Sequence, residues 1–532
     1  MRARTVVVLL LAALLIVLAA CSDKKEEVNS GKSSTDVSKS GFPIVEEPIT
    51  LAMFAKQSPS TSDNWNGLFI WKEYEKMTNI HVVWEQIPNA SLQERRNLAL
   101  ASGSLPDAFF TAEIPTSDIL KYGQQGTFIR LNELIDEYAP NLKKILDENP
   151  DIRKGITFPD GNIYTLPTIY SPEFLAVRAN PFLWINQDWL EKLQMELPET
   201  TEEFYQYLKA VQKTDLNGNG KNDEIPYGSP GMDLFVSQLQ GSFGLGNKGP
   251  QHPFIDADPD HDQLRFFPIS DKYKEMLQYI HKLYSEKLIE QSIYSIEWNQ
   301  YLANDAERLY GSTVYWTTPD TFGPDRSVVT PPLAGPHGDR IYRSAFSAIA
   351  KIGNFAITNK NQHPAETIRW ADYFYSDEGA RFQYMGIEGV TFERTPEGGY
   401  KYLDELLDSP EGKYAGVSEY LYWNGQSPPG VVKQEYFGGS EASPESLAAT
   451  EKIKPYLAEE IWSEFTYTAD ESRKLMALAT DIEKYVNEMQ AKFITGEISF
   501  TEWDKYLDTL NKMGLDEYME IKKAAYERYK AN

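Results

Sequence analysis

Pro48-Ile49-Thr50-Leu51-Ala52-Met53-Phe54 is a short apolar run, Leu68 to Met77 has helical spacing, and Ile80-His81-Val82-Val83-Trp84 is a second apolar run. Strand, helix and strand in that order predict a βαβ unit, and hence a parallel sheet. The pattern continues downstream. Thr200-Thr201-Glu202-Glu203 has the form of a capping box, and the helix it opens runs through Phe204, Tyr207, Leu208 and Val211. Leu277, Ile280 and Leu283 share one face of a helix over Tyr273 to Leu283. Leu475, Leu478, Ile482, Tyr485, Met489 and Phe493 recur every three or four residues until Gly496 stops the helix. Ser312 to Trp316 and Asn354 to Thr358 read as strands between helices. No internal repeat is found. The chain reads as α/β, helix-rich toward its C-terminus.

Upstream of this body the character changes. Arg2 and Arg4 precede a continuous apolar run from Thr5 to Ala20, which ends at Leu18-Ala19-Ala20-Cys21. A basic start, an apolar middle and small residues before a cut site form a secretion signal. The run is slightly short for a bilayer span, which needs about 20 residues. Cys21 is the only cysteine, and its position matches a bacterial lipoprotein signal, with cleavage before it and lipid on its thiol. Two or more acyl chains would anchor the protein, where one binds only marginally. The bland alternative is an ordinary signal with an accidental cysteine. Ser22 to Ser40 carry no aromatic residue and read as a flexible tether.

A single thiol cannot make an internal disulfide, so the folded body must rest on its core. At 532 residues with 41% hydrophobic composition, it has the material. The charge is unusual: 52 basic against 78 acidic residues. Losing Arg2 and Arg4 would leave 50 against 78, a net charge of −28. Such a surface repels phosphate backbones and excludes nucleic acid as the expected partner. It also disfavours direct adsorption to anionic lipid, which suits a protein held by an anchor.

Several stretches together resemble the family 1 extracellular solute-binding proteins, in the branch of Gram-positive lipoproteins similar to the alginate-binding proteins. They are Leu98 to Asp107 (LALASGSLPD), Gly126 to Ile135 (GTFIRLNELI), Asp160 to Pro167 (DGNIYTLP), Leu183 to Leu190 (LWINQDWL) and Ile387 to Val390 (IEGV). They occur in the family's order over most of the chain after the tether. The resemblance implies a two-lobe α/β fold of the periplasmic-binding-protein type, with a hinge of crossing strands and a ligand cleft between the lobes. It places a signal at 1–20 and a lipidated cysteine with tether at 21–43. The N-terminal lobe would take 44–170 plus about 325–385, and the C-terminal lobe 171–324 plus about 386–532. It further implies capture of an oligosaccharide, delivery to the transmembrane subunits of an ABC permease, a monomer, and anchoring at the outer face of the cell membrane.

Asp215-Leu216-Asn217-Gly218-Asn219-Gly220-Lys221-Asn222-Asp223-Glu224 is the strongest chemical motif. Oxygen side chains at 215, 217 and 219, followed by glycine, match the first half of an EF-hand calcium loop. Calcium takes six to eight oxygens, and the turn at Gly220 lets the chain wrap it. Lys221 would offer its main-chain carbonyl. The twelfth position is Pro226, which cannot ligate, so Asp223 and Glu224 would close the shell, as in the alginate-binding relatives. The expected role is structural, and the alternative is an Asn-Gly turn with solvated charges. The alternating acids from Asp256 to Asp262 include Pro259 and read as a polar hairpin tip.

Aromatic residues make up 13% of the chain. Sugar rings have apolar faces and polar edges, which Trp and Tyr complement. Most aromatics must be core. The candidates for ligand contact lie in polar, loop-like settings: Asn64 and Trp65, Trp298, Trp316, and the pair Tyr422 and Trp423. For each, core packing is the competing reading. A secreted polysaccharide-active enzyme is a rival class, since a glycosidase needs only two carboxylates. However, no Gly-x-Ser-x-Gly elbow, His-Glu-x-x-His or phosphate loop is present. A ligand-sensing surface lipoprotein is the third reading.

Overall fold

The computed structural model describes residues 37–531 except 59–60, 260, 262, 317–325, 410–412 and 423–426. The expected secretion signal, Cys21, most of the expected tether and Trp423 lie outside the described residues.

β1 (Ile49–Gln57), the helix Phe69–Thr78 and β2 (Ile80–Pro88) form the βαβ unit, with β1 and β2 parallel from Ile49 opposite Ile80 to Gln57 opposite Pro88. Asn79 ends the helix in the left-handed region, at φ 59°, a conformation asparagine tolerates. β3 (Ala108–Phe110) and β4 (Leu166–Tyr170) follow. The chain then crosses to a second lobe for β5 (Phe182–Asn186), β6 (Ile225–Tyr227), the hairpin β7 (Ile255–Ala257) and β8 (Leu264–Phe266), β9 (Tyr310–Tyr315) and β10 (Ser327–Val329). It returns as β11 (Ile349–Ile357), the hairpin β12 (Phe392–Arg394) and β13 (Tyr400–Tyr402), and β14 (Gly430–Val432). A third crossing leads to the helices Ala469–Thr495, Trp503–Lys512 and Leu515–Ala531.

Each lobe is built on its own sheet. The first has the order β14-β4-β11-β3-β1-β2, in which only β11 is antiparallel to its neighbours. The second has the order β10-β5-β9-β6, in which β5 runs against the rest. The crossings lie side by side. Arg178 and Phe346 exchange hydrogen bonds at 2.8 and 3.0 Å, Ala179 bridges Ala345, and Tyr342 bridges Leu457. This is the expected two-lobe architecture with its hinge.

The expected helix signals hold locally. Thr200 Oγ1 accepts from the Glu203 N–H, and the Glu203 carboxylate accepts from the Thr200 N–H. The helix Ala469–Thr495 ends at Gly496 with φ 78°. The acidic stretch is the β7–β8 hairpin, but Asp256 leaves its tip: it is buried, pairs with Arg265 at 2.6 Å and accepts from the Gly246 N–H.

The expected boundaries need correction on the C-terminal side. Phe392, Tyr402, Leu406, Val417, Tyr422, Val431 and Tyr436 pack into the first core with Leu51, Phe54 and Phe110. The described residues of 386–436 therefore belong with the first lobe, not the second. β10, expected in the first lobe, pairs with β5 in the second sheet. Pairing of β14 with β4 is non-local, so hydrophobic spacing along the chain carries no trace of it.

Candidate functional site

Strand directions locate the cleft. The carboxyl ends of β3, β4 and β14 and the start of β11 share one edge of the first sheet. In the second lobe, the carboxyl ends of β6, β9 and β10 share an edge with the start of β5. The chain leaves the end of β4 to enter the start of β5, and leaves the end of β10 to enter the start of β11. The two edges therefore face each other across the hinge. Ligands of open α/β sheets bind outside the carboxyl ends of strands.

A cavity of about 210 Å³ lies between the lobes, lined by Glu113, Thr116, Lys351 and Asn354 of the first lobe and Gln251 and Glu464 beyond the crossings. Glu113 comes from the loop after β3, where Thr111 and Glu113 hold φ of 51° and 49°. A β-branched residue at positive φ is strained, and such strain persists only where the surroundings impose it. Here buried Arg96 donates to the carbonyls of Ala112 and Glu113 at 2.9 and 2.7 Å. Lys56 donates to the Glu113 carboxylate at 2.6 Å. The Gly353 carbonyl on β11 accepts from the Ile114 N–H, and a Cβ on Gly353 would lie 2.0 Å from the Ile114 oxygen. Glu464 accepts from Thr116 Oγ1 at 3.2 Å, and burial pushes its carboxyl above the usual range. Sequence reasoning missed this loop, because positive φ at Thr and Glu has no compositional signature.

The second lobe offers an aromatic platform. Tyr310, Tyr301, Tyr315 and Trp298 stack in series, with centroids 5.2, 5.8 and 6.0 Å apart and planes within 25°. Trp298, at the start of the helix Trp298–Ala306, is 46% exposed, and Trp316, edge-on to Tyr315, is 39% exposed. Trp316 directly follows β9 at the cleft edge. These two predicted positions are thus brought together, with Tyr315 between them as an unforeseen member.

The other candidates lie elsewhere. Trp65 has no exposed surface and packs against Trp71, Trp84, Phe110 and Tyr422 at 5.2 to 6.2 Å. Tyr422 is equally buried, stacks on Trp71 at 4.2 Å and donates to Gln383 at 2.8 Å. Both were expected at the ligand, and both are core. The cause is the helix Phe69–Thr78, whose buried face presents Trp71 to both. Asn64 is a cap: its Oδ1 accepts from the Gly67 N–H at 3.1 Å. Trp423 lies outside the described residues.

The loop at 215–224 is folded as a wrap around its own oxygens. Asp215 accepts from the N–H groups of Gly218 and Gly220 at 2.8 and 2.9 Å. Asn217 and Asn219 accept from the N–H groups two residues on. Their amides donate to Asp223 at 3.0 to 3.2 Å, which lowers the Asp223 pKa. Gly218 and Gly220 sit at φ 78° and 79°, where a side chain would be strained. Glu224 Oε1 accepts from the Leu216 and Asn217 N–H groups, while its Oε2 is buried with no partner. That orphaned carboxylate oxygen, in a set of hard oxygen donors, fits a calcium ion. Among the described residues no group of three or more His, Cys, Asp or Glu side chains is placed to hold a metal, so the carboxylates of this loop would need its amide and main-chain oxygens beside them.

The model of the bacterial extracellular solute-binding proteins matches residues 58–381, and the chain belongs to that family. Its relatives include the fructooligosaccharide ABC transporter substrate-binding protein FusA of Streptococcus pneumoniae serotype 4, 31% identical over 528 residues that cover 94% of each chain. The solved structure of S. pneumoniae FusA in complex with kestose is similar at a TM-score of 0.72 and 27% identity, covering 91% of this chain and 100% of that one. An EF-hand mutant of FusA in complex with fructo-nystose is similar at a TM-score of 0.71 and 28% identity, with the same coverage.

Proposed function

We propose that this protein captures an oligosaccharide outside the cell and passes it unchanged to the transmembrane subunits of an ABC importer. The observation that carries this reading is the exposed ring pair Trp298 and Trp316, beside Tyr315, at the cleft edge of β9. Stacked rings offer flat apolar faces to the C–H faces of sugars, and the polar cavity between the lobes offers hydrogen-bond partners to their hydroxyls. The fructooligosaccharide role of FusA, matched over 94% of the chain, supports the same class of ligand here.

Two further assignments accompany it. Calcium, held by Asp215, Asn217, Asn219, the Lys221 carbonyl, Asp223 and Glu224, would replace amide N–H groups around Asp223 and stabilise the second lobe. Lipid on Cys21 would anchor a monomer at the outer face of the membrane. Among the described residues no helix is long and apolar enough to cross a membrane.

Thermal unfolding of the chain lacking only residues 1–21 tests both ligand and metal. A sugar present at 100 times its Kd raises stability by about 2.7 kcal/mol. A shift with one sugar class, with the sugar recovered intact, supports capture. Sugar recovered cleaved would make the protein an enzyme, and no shift across neutral and uronate panels would remove carbohydrate as ligand. Calcium at 100 times its Kd should give a similar gain that a chelator abolishes. No response to the chelator would return the 215–224 loop to a plain turn.

A further inference from the structure

The helix that carries Trp298 cannot hold its own place. Trp298–Ala306 has nine residues, no side-chain cap at its start, and only Tyr301 and Asp305 buried. Helices shorter than about 12–15 residues are marginal alone, so contacts with the rest of the lobe must set where Trp298 stands. The rings of Tyr310 and Tyr315 press on Tyr301 from either side. Apolar contact of this kind is non-directional and does not fix a register. Hydrogen bonds do, because their distances and angles are narrow.

Glu290 supplies those bonds from outside the helix. Its Oε1 accepts from the Asn304 amide at 3.0 Å and from Ser292 Oγ at 3.2 Å. Its Oε2 accepts from the Tyr310 hydroxyl at 3.1 Å. The Asn304 amide also donates to the Tyr310 oxygen at 3.2 Å, so the three side chains close a triangle. Glu290 is itself mounted on the second sheet. Its N–H donates to the Tyr227 carbonyl at 2.9 Å, and Tyr227 of β6 bridges Ile289. Gly228 leaves the room this needs, since a Cβ there would lie 2.1 Å from the Tyr310 ring and 3.0 Å from Glu290 Oε2. Half-buried, Glu290 is held by these neutral donors and by no lysine or arginine among the described residues, and burial pushes its carboxyl above the usual range. A carboxylate in that setting is costly without hydrogen-bond donors, and here they come from the helix, β9 and its own loop.

We infer that Glu290 is a positioning residue for the aromatic platform: through Asn304 and Tyr310 it fixes the register of the helix Trp298–Ala306 on β9, and with it the face that Trp298 offers. The inference rests on the carbohydrate reading above. Asn304 lies six residues after Trp298, about 9 Å along a helix of 1.5 Å rise. A helix pinned at Asn304 cannot slide at Trp298 without breaking the triangle. Both carboxylate oxygens are engaged within the lobe, so Glu290 acts through the helix and not on the sugar. A face fixed before ligand arrives lowers the ordering cost of binding.

Calorimetric titration of neutral and uronate trisaccharides tests this in wild type, Glu290→Ala, Glu290→Gln, Trp298→Ala and the double variant Glu290→Ala/Trp298→Ala. Hydrogen exchange over residues 298–306 and thermal unfolding are measured on each ligand-free protein. Glu290→Ala should weaken the tightest trisaccharide as much as Trp298→Ala does, roughly two- to tenfold. In the double variant the two losses should not add, since both remove one contact. Losses that add overturn the inference, because weakened folding acts alike in both backgrounds. Glu290→Gln keeps an acceptor for Asn304 and can donate to the Tyr310 oxygen, so it should recover most of the binding. A loss in Glu290→Gln equal to that in Glu290→Ala would make the carboxylate a ligand contact and overturn the positioning role. Exchange over 298–306 should rise in Glu290→Ala and return toward wild type in Glu290→Gln. Exchange unchanged in Glu290→Ala overturns the inference whether or not sugar binds. Wild type binding no trisaccharide is the separate failure of the carbohydrate reading, and exchange alone then decides whether Glu290 holds the helix.

Discussion

Two groups of tryptophans in this molecule share their chemistry and differ in use. In the first lobe, Trp65, Trp71, Trp84 and Trp370 close around Phe110 and Tyr422 with 7% exposure or less. In the second lobe, Trp298 and Trp316 flank Tyr315 at the end of β9 and stay 46% and 39% exposed. The first group accepts a penalty for its burial: the indole N–H groups of Trp65, Trp71 and Trp84 have no partner. The second group ends a stack whose inner members are satisfied, Tyr301 by Thr313 and Tyr310 by Glu290 and Asn304. Ring count and loop-like context do not separate a core from a ligand platform. What separates them is whether a neighbouring helix covers the rings.

The largest expected effect lies in the buried group. Trp71 stacks on Tyr422 at 4.2 Å, on Trp84 at 4.7 Å and on Trp370 at 5.8 Å. Trp71→Ala should therefore cost about 3–5 kcal/mol of folding stability, the range for large aromatics removed from cores. Denaturant unfolding measures it. A cost below about 1 kcal/mol would mean that the nest is loosely packed and available to a ligand, and the contrast with the platform would vanish.

The same contrast explains what was legible in the sequence. The βαβ unit, the Thr200 capping box and the Gly496 stop were readable because their partners lie within a few residues or one helical turn. The 215–224 loop was readable for the same reason, since its hydrogen bonds span two to eight residues. Polar surroundings single out Trp298 and Trp316 in the sequence, and both rings are exposed. The same rule fails at Trp65 and Tyr422, because Trp84, Phe110 and Tyr422 close over Trp65, and Tyr422 meets Trp71 from about 350 residues away. Glu113 gave no signal at all. Its placement depends on Arg96, Lys56 and Gly353, which are scattered from β1 to β11.

A buried ring able to carry charge sharpens the comparison next. His252, 4% exposed, lies 3.9 Å from Phe465 and hydrogen-bonds the Ser463 carbonyl at 3.0 Å in the third crossing. Because Ser463 offers an acceptor, Nε2 donates. Burial, aided by Lys522, pushes its pKa down to about 3 from 6.5. Between those values the unfolded chain binds a proton that the folded one refuses. Stability is therefore full above about pH 6.5 and falls as pH drops toward 3, at up to about 1.4 kcal/mol per unit. At pH 5 the loss is about 2 kcal/mol. His252→Gln keeps a donor but cannot titrate, so its unfolding free energy should fall less steeply over pH 6.5 to 4. Parallel curves for the two proteins would mean that His252 is solvated in solution.

The smallest effect falls on the exposed group. Trp298 is half in solvent, and its face against Tyr315 is its main packing. Surface substitutions of that kind change stability within about 0.5 kcal/mol. Trp298→Ala should therefore unfold almost as wild type does. Its loss should appear in binding instead, since an aromatic contact is worth about 0.5–1.5 kcal/mol beyond the area it covers, or roughly two- to tenfold in Kd. Trp298→Tyr keeps a flat face and should recover most of that loss, while Trp298→Leu keeps apolar area without the face and should not. Titration of the same sugar into the three variants separates stacking from simple burial. Equal binding by the Leu and Tyr variants would make the platform a greasy patch, and a stability loss in Trp298→Ala without a binding loss would assign it to the core, erasing the difference between the lobes.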